Sequence, residues 1–105
     1  MGNFNVIYKI LKILENSMGD EKFSVESISA QQMKISYERW EQLMIMLADE
    51  GYISGIVTTQ DLCDKFRHIA QPIRPSITMK GLAYLADNSM MTRAKEALKM
   101  VGEIL

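Results

Sequence analysis

The sequence predicts a mainly helical α+β domain, and three observations carry that prediction. Apolar residues repeat at helical spacing from Phe4 to Met18, as one buried helix face requires. A hydroxyl residue sits between two apolar residues five positions apart at three places: Phe23-Ser24-Ile28, Ile35-Ser36-Trp40 and Ile77-Thr78-Leu82. In each, the hydroxyl can accept from a free amide of a first helical turn while the apolar pair packs across it. Between the second and third of these starts, β-branched and aromatic residues from Tyr52 to Thr59 change the period to that of a strand.

The elements follow in order. A first helix begins near Asn3, with Phe4, Ile7, Leu11, Leu14 and Met18 along one face and Val6, Ile10 and Ile13 widening it, and Gly19-Asp20 ends it. A second helix starts at Ser24. A third runs from Ser36 to about Glu50, where Gly51 can take the left-handed turn of a helix C-terminus. The strand from Tyr52 leads into a polar loop at Asp61 to Lys65, and Phe66 to Ile77 returns antiparallel to it. Pro72 and Pro75 have no amide for a ladder, so the return strand is an edge or is broken near them. After Thr78 a short helix carries Leu82, Ala83 and Leu85 up to Asp87-Asn88-Ser89. A final helix then aligns Ala94, Ala97, Leu98, Val101, Ile104 and Leu105.

Helix, helix, helix and hairpin is the order of a winged helix, a helix-turn-helix variant in which the third helix reads DNA and the hairpin is the wing. Here two extra C-terminal helices follow. With 105 residues, 48% hydrophobic and 24% charged, the chain is expected to form one domain, 1–105, with a core sufficient without disulfide or metal. The single cysteine, Cys63, and the lack of a basic leader before an apolar run place the expected compartment in the cytoplasm. The apolar stretch from Phe4 to Leu14 contains Lys9 and Lys12 and falls short of the about 20 apolar residues a membrane span needs. No membrane association is expected.

On a helical wheel Trp40, Leu43, Met44 and Leu47 form the core face of the third helix. The opposite face then presents Glu38, Gln42, Ile45 and Asp49, flanked by Glu41 and Met46, with Tyr37 and Arg39 at the sides. In a DNA-binding regulator, Tyr37, Arg39 and Gln42 would lie near the bases of double-stranded DNA, and Lys65, Arg67 and Arg74 of the hairpin would meet phosphates. The net charge of −1 and the carboxylates of the third helix oppose that reading, because phosphate binding draws on counterion release by Lys and Arg. The alternative is a protein–protein interaction module that offers Glu38, Glu41, Ile45, Met46 and Asp49 to a protein partner, since adjacent apolar residues on a polar face mark interfaces.

Catalytic chemistry has no constellation to rest on. His68 and Cys63 are the only residues of their kinds, too few for a zinc site without carboxylates from elsewhere, and no third group is placed to orient them as a base and nucleophile. No glycine-rich loop ends in Gly-Lys-Ser/Thr. The reading is no enzyme, no cofactor and no metal. The last helix and the wide face of the first can pack together within one subunit or against a second copy, so a homodimer is one of two assemblies the apolar pattern allows.

Four segments resemble the YjcQ family of small bacterial and prophage-encoded proteins: Phe4 to Glu15, Ile35-Ser-Tyr-Glu-Arg-Trp40, Asp49-Glu-Gly-Tyr-Ile53 and Ile77-Thr-Met-Lys-Gly-Leu-Ala-Tyr-Leu85. The hairpin segment from Thr58 to Arg74 lies outside these segments. The resemblance implies a winged-helix fold and an association with phage-derived genes, from which a transcriptional regulator of phage type is the expectation by analogy of fold. It implies no catalytic residue or cofactor.

Overall fold

A computed structural model describes residues 2–88. The first helix, α1 (Asn3–Asn16), buries Val6, Ile10, Leu11 and Leu14, whose spacing makes one stripe. All four belong to the expected apolar face, on the side widened by Val6 and Ile10. Phe4, in the first turn of α1, and Met18, after its end, stay exposed at 75% and 60%. Ser17 closes the helix by donating its hydroxyl to the Ile13 carbonyl, and Gly19 turns the chain with a φ of 78°.

The second helix is shorter than its single N-terminal signal predicts. A 3₁₀ turn (Val25–Ile28) is capped by Ser24, which accepts from the Glu26 amide. The chain then becomes extended at Ser29, whose side chain caps a second start, α2 (Ala30–Met33). The cause is the serine run: the Ser27 hydroxyl donates to the Ser24 carbonyl, and such local bonds compete with a continuous helix. Lys34, with a φ of 59°, ends α2.

The start of α3 (Tyr37–Asp49) is the predicted one, with the Ser36 hydroxyl accepting from the Arg39 amide. Trp40 packs inside and donates its indole N–H to the Ile28 carbonyl at 2.7 Å, so it satisfies the end of the 3₁₀ turn while filling the core. Gly51, with a φ of 82°, follows the helix.

The hairpin has two short ladders. Strand β1 (Ile53–Ser54) pairs antiparallel with β4 (Ser76–Ile77), and β2 (Thr58–Thr59) pairs with β3 (His68–Ile69). Residues 55–57 face the longer arm 70–75 between them, which holds Pro72, Pro75 and a cis Gln71–Pro72 peptide. The return strand is therefore broken at its prolines, as their missing amides require. A Cβ at Gly55 would lie 1.9 Å from the Arg74 carbonyl oxygen, and the residue has a φ of +85°. Only glycine fits this close crossing.

Thr78 opens α4 (79–88), where its hydroxyl oxygen accepts from the Gly81 amide and its O–H donates to the Gly51 carbonyl. One side chain thus joins the start of α4 to the end of α3. Val6, Ile10 and Leu11 of α1, Met44 and Leu47 of α3, Ile53 of β1, Ile77 of β4 and Leu85 of α4 share one core. The described residues form an α+β arrangement of helices with small antiparallel ladders. The helix expected from Ala94 to Leu105 lies outside them.

Candidate functional site

Helix α3 buries more of its circumference than the wheel assigns to the core. Besides Trp40, Leu43, Met44 and Leu47, it buries Glu41 and Ile45. Both were expected on the exposed interaction face, but the return arm of the hairpin lies against that side of the helix. A charged residue can be buried there only because its partners are supplied. Glu41 Oε2 accepts from the Ile69 amide at 3.0 Å and from the Tyr37 hydroxyl at 3.4 Å, and Oε1 lies 2.8 Å from His68 Nδ1. Burial pushes this carboxyl up. The Ile69 amide, His68 and the Tyr37 hydroxyl outweigh burial and hold it below its ordinary value. His68 moves the other way, raised by its hydrogen bond to Glu41 and by the charges of Glu41, Asp64 and Asp61, against the pull of desolvation.

The same contact consumes much of the expected DNA-reading set. Gln42 donates its side-chain amide to the Arg67 carbonyl at 3.3 Å, and the Arg67 guanidinium pairs with Asp49. Arg39 donates from Nε to Asn3 Oδ1 at 2.7 Å. Tyr37 is 48% exposed, with its ring 5.5 Å from that of Trp40 and its hydroxyl pushed up by burial and by Glu41. Lys65 lies over the exposed Phe66 ring at the hairpin tip, and Arg74 is exposed on the longer arm. The six residues of the DNA reading do not form one basic surface. Gln42 and Arg67 help fasten the hairpin to α3, while Lys65 and Arg74 stand on separate parts of the hairpin.

Two residues of the protein-binding set remain exposed, Glu38 and Met46, and a third, Asp49, is exposed but paired. Glu38 borders a cleft with Arg39, Gln42, Phe66 and His68. Met46 points elsewhere, into an apolar groove between three helices: Phe4 and Ile7 of α1, Met46, Leu47 and Glu50 from the α3 end, Tyr52, and Tyr84 of α4. The rings of Tyr52 and Tyr84 lie 5.3 Å apart. Lys80 donates to the Glu50 carbonyl and stands over the Tyr52 ring. Phe4, Asn5, Tyr8, Tyr84 and Asn88 line an adjoining cleft.

Sequence spacing marks Met46 but misses the groove, since its lining comes from residues 4 to 84. It also misses the Glu41 clamp, although one signal for it was present: Ile45 stands four residues after Glu41, on the same stripe of the helix, and an isoleucine there calls for cover. Among the described residues no group of three or more His, Cys, Asp or Glu side chains is placed to hold a metal ion. Cys63 is exposed, and His68 Nδ1 is held by Glu41. No helix of the described residues is long and apolar enough to cross a membrane.

A family model described as YjcQ protein matches residues 8–104. Comparison with the curated proteins and with the solved structures returns no match.

Proposed function

The chain belongs to the YjcQ family, and from that premise we propose that it is a protein-interaction module on a winged-helix scaffold, receiving an apolar helical segment of a partner in the groove between α1, α3 and α4. The scaffold reading rests on the order of α1, the α2 region, α3 and hairpin, with the hairpin as wing and α4 added. One observation carries the function: the side of α3 that would face DNA is engaged by the hairpin through Glu41, Gln42 and Asp49, whereas the groove beside Met46 leaves Phe4, Met46 and Tyr84 accessible. Among the described residues lining the groove, Glu50 is the one with a charged side chain. That lining suits the apolar stripe of an amphipathic helix and offers nothing to a phosphate.

The regulator reading retains Tyr37, Arg39, Lys65 and Arg74 at the surface. To read bases with Gln42 and phosphates with Arg67, the hairpin would have to give up its contacts to α3, which weighs against it.

Side-chain NMR of the full chain, titrated separately with a leucine-bearing amphipathic helical peptide at millimolar concentration and with duplex DNA at low salt, tests this. The peptide is expected to shift the resonances of Phe4, Met46 and Tyr84, and DNA to shift none. Salt-sensitive shifts at Tyr37, Arg39, Lys65 and Arg74 on adding DNA, with none from the peptide, would overturn the interaction reading.

A further inference from the structure

We propose that a second surface, the trough between the 3₁₀ turn and the longer arm of the hairpin, binds an extended segment of a partner protein in which lysine or arginine flanks an apolar residue. This surface shares no lining residue with the Met46 groove, and the proposal does not depend on the reading of that groove.

Two clefts meet here, of about 460 and 420 Å³, each within the ~300–1,000 Å³ range of ligand clefts. Val25 and Ile73 line both, so the clefts share a floor. Val25 opens the 3₁₀ turn and Ile73 stands in the arm 70–75, so each element supplies one wall. Ala30 of α2 and Trp40 of α3 add apolar surface to the first cleft, and Phe23 and Pro75 add it to the second. An apolar side chain seated between Val25 and Ile73 would be withdrawn from water.

The rims decide the charge of the occupant. Glu26 borders the first cleft, and Asp20 and Glu21 border the second together with Arg74. Three carboxylates against one guanidinium leave the lining at a formal −2. None of the four is ion-paired with another described residue. The turn that holds Asp20 and Glu21 at this end is closed by the Phe23 amide on the Asp20 carbonyl at 3.2 Å and by the Lys22 amide on Asp20 Oδ1 at 2.9 Å. Cations on the partner complement such a lining, and an acidic segment is repelled by it.

The amides decide the backbone of the occupant. Gln31 of α2 and Gln71 of the arm both line the first cleft, and the Gln71 side chain reaches the Tyr37 hydroxyl. A side-chain amide carries donors and an acceptor, as does each peptide group of an extended chain. A helix spends its peptide groups on itself, so it would offer these glutamines side chains alone. The Met46 groove, proposed for a helix, has no side-chain amide in its lining. Alternate residues of an extended segment face the same way, so the pattern that fits the trough is a cation, a spacer, an apolar residue, a spacer and a cation.

The test titrates the full chain at low salt into fluorescein-labelled Lys-Thr-Leu-Thr-Lys and reads fluorescence anisotropy. Binding is expected, and the double variant Glu21→Lys, Glu26→Lys is expected to weaken it at least about tenfold. Both side chains are exposed, and a native circular dichroism spectrum checks that the variant folds. The peptides Glu-Thr-Leu-Thr-Glu and Lys-Thr-Ser-Thr-Lys isolate the charge and the leucine, and each is expected to bind at least about tenfold more weakly. Methyl NMR is expected to show the lysine–leucine peptide shifting Val25, Ala30 and Ile73 and leaving Met46 unmoved. No binding of that peptide at millimolar concentration, equal binding of either control peptide, or shifts at Met46 in place of Val25 and Ile73 would overturn the proposal. So would an equal loss in the control variant Asp61→Lys, Asp87→Lys, whose reversed charges lie outside the trough, because the binding would then follow overall charge and not this lining.

Discussion

The two sides of α3 manage polarity in opposite ways. Toward the hairpin, the helix presents Glu41, Gln42 and Asp49, and each finds a partner on β3 or the residue before it. Toward α1 and α4 it presents Met46, which is 55% exposed and meets Phe4 and Tyr84 only across an open groove. The polar side is satisfied within the chain, whereas among the described residues Met46 on the apolar side is left uncovered. A polar residue on a helix wheel is thus no evidence of a binding face until the hairpin has been placed, while the apolar residue beside it is the one that remains open.

Breaking the hairpin's crossing gives the largest expected effect. Gly55→Ala forces a Cβ against the Arg74 carbonyl in a left-handed conformation, and a loss of about 3 kcal/mol or more is expected by urea denaturation. Gly19→Ala is the contrast, since its Cβ meets nothing within 4 Å. Only the left-handed penalty of about 1–2 kcal/mol is expected there. Equal losses at the two glycines would show that the crossing does not constrain the hairpin.

Removing the clamp tests the polar side directly. Glu41→Ala leaves the Ile69 amide without its acceptor, and a loss of about 1–3 kcal/mol is expected in the same denaturation experiment. Glu41→Gln retains a carbonyl oxygen and is expected to lose less. If both variants unfold at the wild-type urea midpoint, the hairpin is not held by this residue.

The clamp also titrates. His68 has its pKa raised above the ordinary 6.5, so its contribution is complete below 6.5 and fades as the pH rises through the raised value. Glu41 is held below its ordinary 4.5, so its contribution is complete above 4.5 and is lost as the pH falls through the lowered value. The pairing is strongest between those limits. Urea midpoints of wild type and His68→Gln, followed from about pH 5 to about pH 9, are expected to converge as the pH rises. A constant difference would mean that the imidazolium charge contributes nothing to docking.

The smallest effect is expected in the groove. Met46→Ser should change stability by less than about 0.5 kcal/mol, as for a surface position, while weakening the NMR response to the leucine-bearing peptide. A loss as large as that of Glu41→Ala would make Met46 part of the core and erase the contrast between the two sides.

Local chemistry made much of the fold legible in advance. Ser24, Ser36 and Thr78 each cap a helical start because a hydroxyl and the amides it serves lie within three residues. Pro72 and Pro75 break the return strand because a missing amide cannot be supplied by any neighbour. The division of the second helix is not legible in the same way, since the rivalry between Ser24, Ser27 and Ser29 for backbone groups has no periodicity.

By itself the sequence determined the family, the order of α1, α3, hairpin and α4, the caps, the break at the prolines and the core residues Trp40, Leu43, Met44 and Leu47. All of these depend on residues a few positions apart, or on a pattern repeated along one element. Only the tertiary structure decided that Glu41 and Ile45 are covered, that Gln42 and Arg67 are spent on the hairpin, and that Met46 opens onto Phe4 and Tyr84. Those outcomes depend on which distant segment packs against which side of α3. A helical wheel defines the sides, but covering them takes contacts between residues 18 to 42 positions apart in the chain, and no local periodicity encodes these.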